Sequence, residues 1–135
     1  LVEHAVHFLG HPHILTGQVV HGHQLGRRLG MPTANLMLPK ELVVPKMGVY
    51  ACIARVNGGR YPAVTNIGTR PTVAGIGITV ETWILDYSGD LYGKEITLEF
   101  YQFIRPEQKF ATLESMRQEI FRNAEDAREI LSNHL

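Results

Sequence analysis

Three side chains carry the chemistry this sequence suggests: the neutral oxygen donors Thr33 and Asn35, and the carboxylate Glu81. Thr33 and Asn35 close the run Gly26-Arg27-Arg28-Leu29-Gly30-Met31-Pro32-Thr33-Ala34-Asn35. Pro32 fixes its own φ and pushes Met31 toward an extended conformation. Along an extended path residues two apart point to one side, so the Thr33 hydroxyl and the Asn35 amide oxygen project together. Upstream, Gly26 and Gly30 let backbone approach a ligand, and Arg27 and Arg28 supply positive charge. Mg²⁺ takes few protein oxygens and completes its shell with phosphates and water, so the segment reads as a seat for a magnesium-bound polyphosphate. It is not a P-loop, because Gly93-Lys94 is followed by Glu95 and no other Gly-Lys pair occurs. The competing reading is a glycine-rich turn in which Thr33 and Asn35 satisfy local backbone groups.

Glu81 lies in the run Ile78–Asp86, where alternation gathers Thr79, Glu81, Trp83 and Leu85 on one face. A carboxylate beside two large apolar groups snorkels, pairs with a cation, or works in a partly desolvated pocket. The last suits a general base that takes a proton from an alcohol. Phosphoryl transfer asks for a cradle for the phosphates, a metal that bridges them, and a group that orients the attacking hydroxyl. Loop 22–30, Thr33 with Asn35, and Glu81 fill those roles. Spacing alone does not name the substrate of such a kinase.

These groups need a frame. Residues 1–9 place Val2, Ala5, Val6 and Leu9 at helical spacing, and Gly10-His11-Pro12 interrupts the pattern. β-rich runs follow at Ile14–Val20, Gly48–Val56, Arg60–Ile67, Ile78–Asp86 and Glu95–Phe103. Asn57-Gly58-Gly59 predicts a hairpin with a bulge, and Gly75-Ile76-Gly77 and Ser88-Gly89-Asp90 read as turns. Beyond Arg105-Pro106 the period becomes helical: Phe110, Leu113, Met116, Ile120, Ala124, Ala127 and Leu131 form an apolar stripe. Thr112 is placed to cap that helix, and Asn123 to cap a second turn or mark a kink. Short strands followed by a terminal helix imply an antiparallel barrel or sandwich closed by the helix, a mainly β fold.

At 135 residues the chain is one domain, and 13 Lys plus Arg against 13 Asp plus Glu gives no electrostatic case for nucleic acid or a membrane surface. No apolar run approaches the roughly 20 residues of a membrane-spanning helix. Cys52, the single cysteine, sits in Ala51-Cys52-Ile53-Ala54, which predicts a buried reduced thiol in a cytoplasmic protein. His4, His7, His11, His13, His21 and His23 crowd the start of the chain. Without acidic or cysteine partners they read as solvated or hydrogen-bonded histidines before they read as a zinc site.

The ordered series of motifs resembles riboflavin kinase. It runs from Thr16-Gly17-Gln18-Val19-Val20-His21-Gly22 through Pro32-Thr33-Ala34-Asn35, Gly48-Val49-Tyr50-Ala51 and Ala63-Val64-Thr65-Asn66-Ile67-Gly68-Thr69-Arg70-Pro71-Thr72. Val80-Glu81, Asp90-Leu91-Tyr92-Gly93 and Ile104-Arg105-Pro106-Glu107-Gln108-Lys109-Phe110 complete it. The resemblance implies a six-stranded antiparallel Greek-key β-barrel with a C-terminal helix. It implies ATP-dependent phosphorylation of the riboflavin ribityl 5′-hydroxyl, giving FMN and ADP. Carried over by motif, Thr33 and Asn35 hold Mg²⁺ with the ATP phosphates and Glu81 is the base. Gly22 and the loop Gly26, Arg27 to Gly30, with Pro32, cover the nucleotide; Arg105 and the loop to Phe110 border the isoalloxazine. Asn66 joins the ligand-binding set without an assigned role.

Residues 1–12 look like the segment that enters the kinase module of bacterial bifunctional riboflavin kinase/FAD synthetases, with the kinase domain at 13–135. The expectation is an absent N-terminal adenylyltransferase domain, hence FMN but no FAD. The chain departs from the family pattern at His11, His13, Met31 and Trp83. The alternative function is a non-catalytic flavin-binding barrel, a carrier or sensor, although such a protein has no need of Thr33, Asn35 and Glu81 together.

Overall fold

The stretch Gly48-Val49-Tyr50-Ala51-Cys52-Ile53-Ala54 shows how the layers are arranged, because every residue in it is buried. Tyr50, Cys52 and Ala54 point into one apolar cluster, and Val49, Ala51 and Ile53 into another. A strand buried on both faces loses the apolar–polar alternation of a surface strand. Here one face fills a barrel and the other carries a helix.

The computed structural model describes residues 2–3, 12–20, 33–38, 44–73 and 75–135. Its elements are β1 (His13–Val20), β2 (Thr33–Met37), β3 (Gly48–Val56), β4 (Gly59–Thr72), β5 (Gly75–Ile84), β6 (Glu95–Arg105) and helix α1 (Leu113–Leu131). The strands close into an antiparallel barrel in the order β1-β2-β5-β4-β3-β6. β3, β4 and β5 follow one another as hairpins, and β6 returns beside β3, which is a Greek key.

Inside the barrel Leu15, Ile67, Ile96, Leu98 and Phe100 are fully buried. Cys52 is buried with them as a free thiol, as its apolar neighbours predict, and burial pushes its ionisation upward. The buried Thr65 and Thr82 hydroxyls satisfy each other at 2.9 Å. Burial and the nearby Glu3 raise the Tyr50 phenol to about 12, so it is neutral and donates to the Lys46 carbonyl.

Two turn readings change. Val56 pairs directly with Gly59, and Asn57 and Gly58 both have positive φ, 50° and 81°. That is a two-residue type I′ hairpin without the expected bulge. Gly75-Ile76-Gly77 is not a turn but the start of β5, because Thr72 pairs with Gly75 and the ladder continues to Ala63–Ile84. The glycines there are strand residues: a Cβ on Gly77 would lie 2.7 Å from the Thr72 side chain. β5 also stops at Ile84, two residues before the expected Asp86, which has a φ of 61°.

The C-terminal half of the α1 stripe packs as its period requires, whereas Leu113 at its start is 48% exposed. Thr112 caps the helix in a reciprocal box with Ser115, and Ala124, Ala127 and Leu131 are buried against the outer face of β3 and β4. Asn123 neither caps nor kinks the helix, which runs unbroken through it. Of the first segment only Val2 and Glu3 are described, both helical, with Val2 in the core. The rest of the 1–9 pattern, and His4, His7, His11, His21 and His23, lie outside the described residues.

Candidate active site

A cleft runs between the outer face of β2, β5, β4 and β3 and the first half of α1. Strand pairing lays one row around the barrel, Asn35 opposite Glu81, Glu81 opposite Asn66, Asn66 opposite Val49, and Val49 opposite Arg105, and all of these but Asn35 line the cleft. In this way residues far apart in the sequence become lateral neighbours, roughly 4.5–5.5 Å apart at Cβ for directly opposed pairs. Thr33 lies two residues before Asn35 on the same face of β2, opposite Trp83. The alternation expected for Thr33 and Asn35, and for Thr79, Glu81 and Trp83, is therefore present. The residues between them, Ala34, Val80 and Thr82, are buried inside the barrel.

The shortest contact in the site joins the two elements of the sequence reading. The Thr33 hydroxyl donates to Glu81 Oε1 at 2.6 Å. That bond orients the carboxylate, and a hydroxyl that donates keeps its oxygen's capacity to accept or to ligate a cation. Glu81 is half-buried and lines the cleft together with Thr33 and the apolar Val49, Val64 and Trp83. No arginine or lysine pairs with it among the described residues. Of its three readings, structural pairing to a cation is thus not realised there.

The far wall comes from β6 and α1. Arg105 Nε donates to Asn123 Oδ1 at 2.9 Å and lies 3.5 Å from Glu119, and the guanidinium sits 5.5 Å from the Phe110 ring centroid. Burial pulls this guanidinium below its ordinary value, while Glu119 and Glu107 act in the opposite direction. Asn123, 1% exposed, also donates to Glu119 at 3.4 Å, so it ties the helix to the arginine. Its signal in the sequence is a polar residue on the buried stripe, three after Ile120 and next to Ala124. Trp83 stands edge-to-face with Phe121 of α1, ring centroids 5.4 Å apart. Glu107, also in the lining, packs over Gly68: a Cβ there would lie 2.4 Å from its carboxylate oxygen.

Asn66 reaches the same cleft, and its amide oxygen is buried with no hydrogen-bond partner among the described residues. Gly22, Gly26, Arg27, Gly30 and Pro32, assigned to the nucleotide from the sequence, lie outside the described residues. No group of three or more His, Cys, Asp or Glu side chains suited to a metal occurs among the described residues. The oxygen donors that β2, β5 and β4 bring together are instead a hydroxyl, two amides and one carboxylate: Thr33, Asn35, Asn66 and Glu81. Such a hard-oxygen set suits a cation that keeps water and phosphate in its shell, not zinc.

Comparison with known proteins gives the family. The flavokinase (riboflavin kinase) family model matches residues 9–131. The chain is 48% identical over 122 residues to the bifunctional riboflavin kinase/FMN adenylyltransferase of Escherichia coli K12, covering 90% of this chain and 39% of that protein. It is 46% identical over 114 residues to the protein of the same description from Pseudomonas fluorescens, covering 84% and 36%. The chain therefore spans under two fifths of the length of these two relatives. The crystal structure of riboflavin kinase from Trypanosoma brucei superposes with a TM-score of 0.65 at 27% identity, covering 90% of this chain and 80% of that one. A Streptococcus pneumoniae structure described as a macrolide-efflux protein superposes at 0.89 with 31% identity, covering 94% and 42%. No helix among the described residues is long and apolar enough to cross a membrane. With the match running through barrel, cleft and helix, this chain belongs to the riboflavin kinase family.

Proposed function

We propose that this chain transfers the γ-phosphoryl group of ATP to the ribityl 5′-hydroxyl of riboflavin, giving FMN and ADP. The observation that carries the reading is the Thr33–Glu81 hydrogen bond at 2.6 Å, at the edge of a cleft with an apolar wall. An oriented carboxylate without a cationic partner is suited to take the proton of an alcohol as its oxygen attacks phosphorus. Glu81 fills that role. Thr33 holds the carboxylate through its O–H and, with Asn35, presents neutral oxygens to the Mg²⁺ that accompanies the ATP phosphates. When bound, the metal neutralises phosphate charge. The loop containing Gly22, Gly26, Arg27, Gly30 and Pro32 covers the nucleotide, a role supported by the sequence alone. The apolar wall, with Arg105 and the loop to Phe110, receives the isoalloxazine.

We extend the proposal to the whole protein as a cytoplasmic enzyme in which an adenylyltransferase domain accompanies the kinase, as the relatives' descriptions have it. The test is to incubate the purified chain with riboflavin, ATP and Mg²⁺ and separate the flavins by chromatography. FMN without FAD, abolished by a chelator, is the expected result. Riboflavin binding with no product would instead make the barrel a flavin carrier.

A further inference from the structure

The Asn66 amide oxygen has no place in the roles just proposed, yet it is the one buried side-chain oxygen or nitrogen left without a partner among the described residues. An acceptor removed from water and left unsatisfied destabilises the state that holds it. It sits beside Glu81 in the cross-strand row, on the wall of the same cleft. The cleft measures about 120 Å³, below the roughly 300–1,000 Å³ of sites that enclose a drug-sized ligand. Asn66 and Glu81 both line it, so a ligand seated there meets both.

Resting on the kinase reading of this site, we infer that Asn66 is a specificity-determining residue. Its amide oxygen accepts the hydrogen bond of the ribityl 4′-hydroxyl, next to the hydroxyl that is phosphorylated. The argument is one of spacing and chemistry. Glu81 and Asn66 are directly opposed on adjacent strands, so their side-chain ends serve neighbouring points of one ligand. Adjacent hydroxyls of a polyol are one carbon–carbon bond apart, and each carries a proton to donate. The carboxylate takes the terminal one and the amide oxygen the next. With its 4′-hydroxyl held, the ribityl chain loses the torsional freedom that would swing the 5′-oxygen away from Glu81. A ligand without that hydroxyl leaves the acceptor unsatisfied, which is how sites built around a hydroxyl reject its deoxy analogue.

The experiment compares riboflavin with 4′-deoxyriboflavin and 2′-deoxyriboflavin in the wild-type chain and in Asn66→Ala, reading kcat/KM and melting temperature. In the wild type, 4′-deoxyriboflavin should lose about tenfold or more in kcat/KM, the worth of one hydrogen bond, and 2′-deoxyriboflavin much less. Asn66→Ala should lose a similar factor on riboflavin and show no further loss on the 4′-deoxy analogue. Its melting temperature shows that the variant is folded, so that the loss is read from a native chain. Equal wild-type use of riboflavin and 4′-deoxyriboflavin overturns the inference without recourse to any variant. An equal loss on both flavins in Asn66→Ala also overturns it. A wild-type chain that makes no FMN from riboflavin sinks the kinase reading and this inference with it, which separates the two failures.

Discussion

Glu81 and Thr33 share one hydrogen bond, so substitutions there separate proton transfer from metal binding. Glu81→Gln keeps size and polarity but cannot accept the alcohol's proton. Turnover should fall by about 10²–10⁴-fold while riboflavin still quenches Trp83 fluorescence on binding. Wild-type turnover would end the general-base role. Thr33→Ser keeps the hydroxyl and should keep most activity, whereas Thr33→Ala removes both the bond to Glu81 and an oxygen for Mg·ATP. Asn35→Ala removes only the second, so Mg²⁺ titrations of initial rate should shift to higher metal in both alanine variants. The loss in turnover at saturating Mg²⁺ should be larger for Thr33→Ala. Superimposable titrations in wild type and both variants would remove these residues from the metal site.

At the scale of elements, α1 matters because it supplies one wall of the cleft. Its hold on β6 passes through Asn123, which bonds Arg105 and Glu119 while almost fully buried. Asn123→Leu leaves the Arg105 guanidinium short of an acceptor, at a cost of about 1–3 kcal/mol. Urea denaturation should show that loss, and riboflavin affinity should weaken with it because the wall is displaced. An unchanged midpoint would mean Glu119 alone suffices. Nearer the C-terminus of α1, Asp86 accepts from Nη1 and Nη2 of Arg128, at 2.5 and 2.9 Å. The pair holds the Asp86 carboxyl below the usual aspartate range. A depressed carboxyl adds stability above its unfolded value and loses it as pH falls through its folded one. The contribution should therefore be present at neutral pH and vanish in acid. Both side chains are about half exposed, so solvent limits it to under about 1 kcal/mol. Asp86→Asn should lower stability slightly at pH 7 and leave it unchanged at pH 2.

The whole molecule is a closed barrel with a helix on one side, and its stability rests on both clusters. Leu131 is fully buried at the end of α1 and anchors the outer cluster. Leu131→Ala should cost about 2–5 kcal/mol by leaving a cavity. If the helix can detach while the barrel survives, riboflavin binding should be lost before the barrel unfolds, seen as tryptophan and far-UV signals that do not coincide. Coincident transitions would show barrel and helix to be one cooperative unit.

Periodicity alone determined much of this protein. Alternation put Thr33 with Asn35 and Glu81 with Trp83, and the 3.6-residue stripe gave α1 its buried face, because side-chain direction within one element follows from backbone geometry. Motif order carried the family, and with it the barrel. What the sequence could not express was register between strands, which depends on where hairpins turn and how long their arms run. Gly75-Ile76-Gly77 looks like a turn because glycine usually marks one, yet it lies within β5, and its pairing brings Asn66 opposite Glu81. Asn123 reads as a cap until tertiary packing sets it against Arg105. The unpartnered oxygen of Asn66 likewise exists only in three dimensions: an amide has no burial or partner until neighbouring strands and the helix close around it.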